Sequence, residues 1–255
     1  MGKYSGILIC SDIDGTLTYE TGKISLENLE AINRFMKEGG LFTISSGRTP
    51  GFIRNLNIPI NAPVISTNGA FVYDYENEKY LSSSPMTKPY INLADKIRGK
   101  FSEKQIRIRF IYEDSWDLSW PEYPLEFLKS RATVYKLAIH TQTEKEAIEI
   151  RDYVKRISTA SVVRGWETGV EITEPDISKG SGLIFLKNYF KNEIKTTIAV
   201  GNFENDVPIL KTADVSVVVD NAPDDIKKYA DKIAPANTEH AIRFIIDNLD
   251  LFSKH

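Results

Sequence analysis

The sequence predicts an α/β fold, a Rossmann-like parallel sheet core interrupted by an inserted α/β unit with a sheet of its own. Three observations predict it. Short β-rich apolar runs alternate with helical patterns through most of the 255 residues. The first run, Gly6 to Ser11, is continuously apolar through Ile7, Leu8, Ile9 and Cys10, as a parallel strand covered on both faces requires. A middle stretch of roughly 90 residues has its own succession of helices and strands, long enough for a small separate domain.

The elements follow in order. Ser25 supplies an N-cap, Leu29, Ile32, Phe35 and Met36 recur at helical spacing, and Gly39-Gly40 ends the helix. Leu41 to Ser45 and Val64 to Ser66 are the next strands, with a short helix between them, and this β-α-β succession predicts a parallel sheet with right-handed crossovers. In the middle, Lys88 to Phe101 reads as a helix and Ile106 to Ile111 and Val134 to His140 as strands. Thr143 with Glu146 forms a capping box for a helix reaching Ile157, and strands at Ser161 to Arg164 and Val170 to Thr173 follow. Beyond it Ser178 caps a helix through Phe190, Thr196 to Val200 is a strand, Val207 to Thr212 a helix and Val215 to Val219 a strand. Pro223 suits the first position of one more helix. The expected division is a core of residues 1–83 and 175–255 with an inserted unit of residues 84–174.

Composition excludes classes of function without choosing one. With 32 Lys and Arg against 35 Asp and Glu, the net charge of −3 gives no basic field for a nucleic acid. No apolar run approaches the roughly 20 residues of a membrane span, and MGKYSGILIC lacks a signal-peptide pattern. A single cysteine, Cys10, forms no internal disulfide, so a reducing cytoplasm is expected.

Chemistry concentrates where strands end. Asp12-Ile13-Asp14-Gly15-Thr16 directly follows the first strand, and in an open parallel sheet the ligand crevice lies beyond the carboxyl ends of the strands. Two carboxylates that close repel unless a cation compensates them, which suits Mg²⁺, although Asp residues ahead of Gly15 also suit a plain turn. Ser46-Gly47-Arg48 follows the second strand, where a hydroxyl and a guanidinium suit phosphate oxygens and equally suit a helix cap. Lys179 starts a helix, an unfavourable place for a cation that a nearby anion would explain. Gly201-Asn202-Phe203-Glu204-Asn205-Asp206 offers hard oxygen ligands, or a polar loop capping the next helix.

Together these segments resemble the haloacid dehalogenase (HAD) superfamily of phosphatases, in its Cof-like branch with a large α/β cap. DIDGT, SGR, the SKG containing Lys179 and GNFEND resemble the four family motifs in order, and STNGA at Ser66 to Ala70 and DNAP at Asp220 to Pro223 resemble recurrent elements of the branch. The resemblance implies a Mg²⁺-dependent phosphatase for small phosphorylated metabolites, with sugar phosphates foremost. Asp12 would be the nucleophile, forming an aspartyl phosphate, and Asp14 the acid and then the base. Ser46 and Lys179 would hold phosphate oxygens, and Gly15, Thr16, Gly47, Arg48, Asn68 and Asn205 would complete the contacts. Asp12, Asp14, Asn202 and Asp206 would form the metal set, with Glu204 a nearby carboxylate. One departure is plain, because the fourth motif usually begins Gly-Asp and here has Asn202. The alternatives are a sugar-phosphate mutase of the same superfamily and a catalytically weakened phosphometabolite-binding protein. A phosphorylatable receiver domain leaves the inserted unit and GNFEND unexplained. Within residues 84–174, the aromatics from Phe110 through Trp116 and Trp120 to Phe127 are expected to form the unit's own core. Arg164, Trp166 and Glu167 are expected in a turn facing the crevice, and His140 as a packed or surface residue.

Overall fold

The computed structural model describes residues 2–20, 22–113, 117–131 and 133–252. The chain opens with β1 (Ile7–Ser11), the hairpin β2 and β3 (Thr18–Glu20, Lys23–Ile24), α1 (Leu26–Lys37), β4 (Leu41–Ile44) and α2 (Pro50–Arg54). A meander of β5, β6 and β7 (Val64–Ser66, Phe71–Asp74, Lys79–Ser83) follows. Next come α3 (Lys88–Ile91), α4 (Leu93–Lys100), β8 (Arg107–Tyr112), β9 (Asp117–Trp120), α5 (Leu125–Ser130), β10 (Val134–His140), α6 (Glu144–Ile157), β11 (Ser161–Trp166) and β12 (Gly169–Thr173). The chain returns through α7 (Lys179–Phe190), β13 (Thr196–Gly201), α8 (Val207–Thr212), β14 (Val215–Val219), α9 (Asp224–Lys227), β15 (Lys232–Ala234) and α10 (Ala241–Asp247).

The first sheet is entirely parallel, in the order β15-β14-β13-β1-β4, so the strand bearing the aspartates is flanked on both sides. Leu8, Ile9 and Cys10 are fully buried, with Ile9 in the cluster on one face of the sheet and Leu8 and Cys10 in the cluster on the other. Each such buried aliphatic contributes about 1.5–3 kcal/mol. This explains the unbroken apolar run. The second sheet, β11-β12-β10-β8-β9, is antiparallel and alternates. Ile108, Phe110, Tyr112, Leu137, Ile139, Val170 and Ile172 turn to one face and form a core with Ile97, Ile150 and Val154 of α4 and α6. Phe110 and Tyr112 thus sit in this core, whereas Tyr123 and Phe127 stack at the surface and Trp116 lies outside the described residues.

Several expectations need correction. Val64–Ser66 meets the parallel sheet through the single bridge Ser45–Ile65 and otherwise pairs antiparallel with β6. The helix from Lys88 breaks at Asn92, whose N–H turns back to Lys88 and Tyr90. The capping box at Thr143 closes one residue early, because Glu146 accepts from Gln142 N at 3.0 Å. Pro223 is extended (ψ 147°) and caps α9 rather than entering it. Among the described residues no helix is long and apolar enough to cross a membrane.

Candidate active site

β1 delivers Asp12 to the carboxyl edge of the parallel sheet, where its N–H still bonds Val200 O of β13 at 2.9 Å. The residue is 6% exposed, and its side chain faces two other charged groups. Lys179, the first residue of α7, is fully buried, and its Nζ donates to Asp12 Oδ1 at 2.7 Å and to Asp206 Oδ1 at 2.6 Å. The two carboxylates account for a cation at a helix N-terminus. Burial opposes the charge on Lys179, but Asp12 and Asp206 outweigh it and raise its pKa. Asp12 is pushed up to about 7, first by burial and then by Asp206 and Asp14, with Lys179 pulling the other way. A carboxyl whose pKa is raised by burial in this way costs stability at neutral pH.

Asp206 has both oxygens committed. Oδ1 takes Lys179, and Oδ2 accepts from Asn202 N at 2.9 Å and Phe203 N at 3.0 Å, closing the loop after β13. Its position makes it the organiser of that loop. Asn202 lies against the Asp14-Gly15 turn, with Oδ1 accepting from Thr16 Oγ1 at 3.2 Å. Gly15 has φ +75°, and a Cβ there would stand 2.6 Å from Asn202 Nδ2, so any side chain at this position is strained and would displace Asn202. Asp14 is half exposed and held by a guanidinium fork, Arg48 Nε at 2.9 Å and Nη2 at 3.2 Å. Ser46 is buried, and its Oγ accepts from Arg48 N at 3.2 Å.

Asp12, Asp14, Ser46, Gly47, Arg48 and Asn205 line one side of a cavity of about 830 Å³. Thr16, Asn68, Lys179 and Asp206 are buried outside that lining, and the partly exposed Asn202 is not part of it either. The roof comes from the antiparallel sheet: Arg109, Lys136, Ala138, His140, Trp166 and Glu171. Arg109, Lys136 and Glu171 were not singled out from the sequence, and His140, expected as a packed or surface residue, is packed and also lines the cavity. His140 packs on Trp166 with ring centroids 4.7 Å apart, and burial, then Arg109 and Arg107, push it down to about 4, leaving it neutral at pH 7. The alternation of β8, β10 and β12 holds the signal for this roof, since residues opposite the apolar ones must face something.

Arg164 is the other correction. It lies within β11 and points away from the cavity, with Nε on Glu204 Oε2 at 3.0 Å and Nη1 on Glu144 Oε1 at 2.6 Å. Arg151 at 2.6 Å and Lys155 at 3.6 Å complete a cationic collar around Glu204. Glu204 is therefore a clasp between the two sheets and is spent on protein partners. Trp166 reaches the cavity, whereas Glu167 sits in the turn after it. Among the described residues no three His, Cys, Asp or Glu side chains converge as a metal cluster.

Comparison with known proteins adds an independent line. Residues 9–246 match the family described as haloacid dehalogenase-like hydrolase. The chain is 25% identical over 266 residues to the 5-amino-6-(5-phospho-D-ribitylamino)uracil phosphatase YitU of Bacillus subtilis, covering 96% of this chain and 98% of that one. Among solved structures, a haloacid dehalogenase-like hydrolase from B. subtilis superposes with a TM-score of 0.81 at 23% identity, covering 95% of this chain and 99% of the other. A subclass IIB sugar phosphatase superposes with a TM-score of 0.79 at 20% identity, covering 96% and 99%.

Proposed function

The chain belongs to the haloacid dehalogenase-like hydrolase family, and from that premise we propose that it is a Mg²⁺-dependent phosphatase of small phosphate monoesters, with sugar phosphates as the leading class. The observation that carries this reading is the buried Asp12 carboxylate, lodged between Lys179 and the cavity at the end of β1. Residues 84–174 would act as a cap over a core of residues 1–83 and 175–255. A cavity of about 830 Å³ is much larger than a phosphate group and leaves room for a metabolite-sized leaving group. The name of YitU and the sugar phosphatase neighbour support a small phosphorylated metabolite as substrate. The single buried cysteine supports a cytoplasmic location.

In the proposed reaction an Asp12 oxygen attacks phosphorus and forms an aspartyl phosphate while the bond to the leaving oxygen breaks. Asp14 gives that oxygen its proton and then takes one from the water that hydrolyses the intermediate. Ser46 holds a nonbridging oxygen, and Lys179 keeps Asp12 aimed and offsets charge on the transferring group. Arg48 holds the Asp14 carboxylate from the side, which restricts its rotamers before the substrate arrives.

The donor set fits Mg²⁺ in kind. Asp12, the Asp14 carbonyl and the Asn202 amide are hard oxygen ligands, and the burial, with the added repulsion of Asp206 and Asp14, that lifts Asp12 to about 7 is what a cation would offset. With Asp206 committed to protein donors the set has one full carboxylate, so affinity is low. When bound, the ion supplies charge neutralisation between Asp12 and the phosphate. The test is a screen of phosphorylated metabolites with purified protein, with Mg²⁺ or with EDTA. Phosphate release that needs Mg²⁺ is expected, and no release from any ester would overturn the proposal.

A further inference from the structure

We infer that Lys136 and Glu171, on the roof sheet, are positioning residues that set the orientation of the Ser46–Arg48 loop. This inference rests on the phosphatase reading of that loop. β10 reads Val-Tyr-Lys-Leu-Ala-Ile-His, and Leu137 and Ile139 fill the core beneath the sheet, so Lys136 faces the other way. On β12, Glu171 pairs across from Ala138 and shares that face. Both charged residues are 4% exposed, because the core loops cover them. They form an ion pair with each other and touch the core at two points. Lys136 Nζ donates to Gly47 O at 2.6 Å, and Asn68 Nδ2 donates to Glu171 Oε2 at 2.8 Å.

The first contact reaches the chemistry through one peptide plane. The carbonyl of Gly47 and the N–H of Arg48 belong to the same rigid unit. Lys136 holds its oxygen, and Ser46 Oγ accepts its N–H at 3.2 Å. Fixing the carbonyl from above therefore fixes the direction in which the serine hydroxyl is held. It also fixes the start of Arg48, whose fork grips Asp14. The second contact orients the turn beneath. Asn68 N bonds Ser46 O at 3.0 Å and Thr67 N bonds Arg48 O at 2.9 Å, so that turn carries the loop. Asn68 Oδ1 is buried and has no hydrogen-bond partner among the described residues, which leaves Glu171 to define the amide.

The packing is cut to this pair. A Cβ on Gly47 would stand 3.1 Å from both Glu171 oxygens, and one on Gly165 would stand 2.4 Å from Oε2. Stability gives little reason for such a pair, since a buried ion pair is commonly no better than an apolar replacement. Geometry gives the reason instead, because a phosphate grip misplaced by about 1 Å loses about a hundredfold in rate.

The test is Lys136→Met combined with Glu171→Gln, which removes both charges at similar size and keeps an acceptor for Asn68. Lys136→Arg is the second variant, keeping the charge for Glu171 with a head group too broad for the same carbonyl. Thermal unfolding identifies which variants fold. The readouts are kcat on p-nitrophenyl phosphate at saturating Mg²⁺ and the inhibition constant of inorganic phosphate. We expect folded variants to lose about ten- to a hundredfold in kcat and to bind phosphate about tenfold more weakly. A merely structural pair would leave phosphate affinity unchanged. A folded variant with wild-type kcat and phosphate inhibition overturns the inference. Inactivity of the wild-type protein would instead overturn the phosphatase reading, so the two failures are distinguishable.

Discussion

Replacing Asp12 by Asn removes the group on which both the energetics and the chemistry of the site turn. In the unfolded chain this carboxyl ionises near 3.8, whereas in the folded protein burial, Asp206 and Asp14 hold it protonated up to about 7. As pH rises from 4 to 7 the unfolded state loses its proton first, so the wild-type protein loses stability through that window and levels off above it. The cost at pH 8 is about 4 kcal/mol, at 1.36 kcal/mol for each tenfold change in proton affinity. Asn is nearly isosteric, and its Oδ1 accepts from Lys179 without carrying charge. Asp12→Asn should therefore gain on the wild type by about 4 kcal/mol between pH 4 and pH 8, or about 10 °C in Tm for a chain of this size. The assay is thermal unfolding of both proteins with EDTA at pH 4, 6 and 8, alongside turnover. Turnover by the variant should vanish. A stability difference that stays flat with pH, or that falls as pH rises, would refute the reasoning about Asp12, and retained turnover would refute its role.

Other outcomes follow from the same geometry. Asn202→Asp adds a charged oxygen beside the Asp14-Gly15 turn and should lower the Mg²⁺ concentration for half-maximal activity about tenfold, measured by titration at fixed substrate and by calorimetry. Unchanged Mg²⁺ affinity would place Asn202 outside the metal's ligands. Glu204→Gln removes the carboxylate that Arg151 and Arg164 share, leaving them only Asp152 and Glu144, and should loosen the contact between the two sheets, seen as faster limited proteolysis within residues 84–174, with little loss of kcat on a small substrate such as acetyl phosphate. Trp166→Ala removes an aromatic wall of the cavity and should raise KM for sugar phosphates about tenfold while sparing acetyl phosphate. Equal losses on both would argue against a selecting role.

Much of this molecule is written locally in its sequence. The unbroken run Ile7 to Cys10 marks a strand covered on both faces, and two aspartates directly after it can only lie at the sheet edge. Ser178 caps its helix locally, which places Lys179 at a helix start, where a buried cation needs an anion. The features that escaped depend on distant partners. Glu204 is adjacent in sequence to metal-type ligands, and nothing there reveals that Arg151 of α6 and Arg164 of β11 claim it from the inserted segment. Asp206 has the composition of a ligand, but its oxygens close a loop and bind a lysine. Lys136, His140 and Glu171 occupy the polar side of alternating strands, a pattern that ordinarily means solvent. Here the core loops cover that side, and only the tertiary fold decides between water and a roof.

If Asp12 itself receives the phosphoryl group, chemical trapping during turnover reveals it. Acid quenching during turnover of a good substrate, followed by borohydride reduction, converts an aspartyl phosphate to homoserine, which peptide mass spectrometry locates. Homoserine is expected at position 12, dependent on substrate and on Mg²⁺ and nowhere else in the chain. Steady phosphate release with an unmodified Asp12, or reduction at another carboxylate such as Asp14, would contradict it.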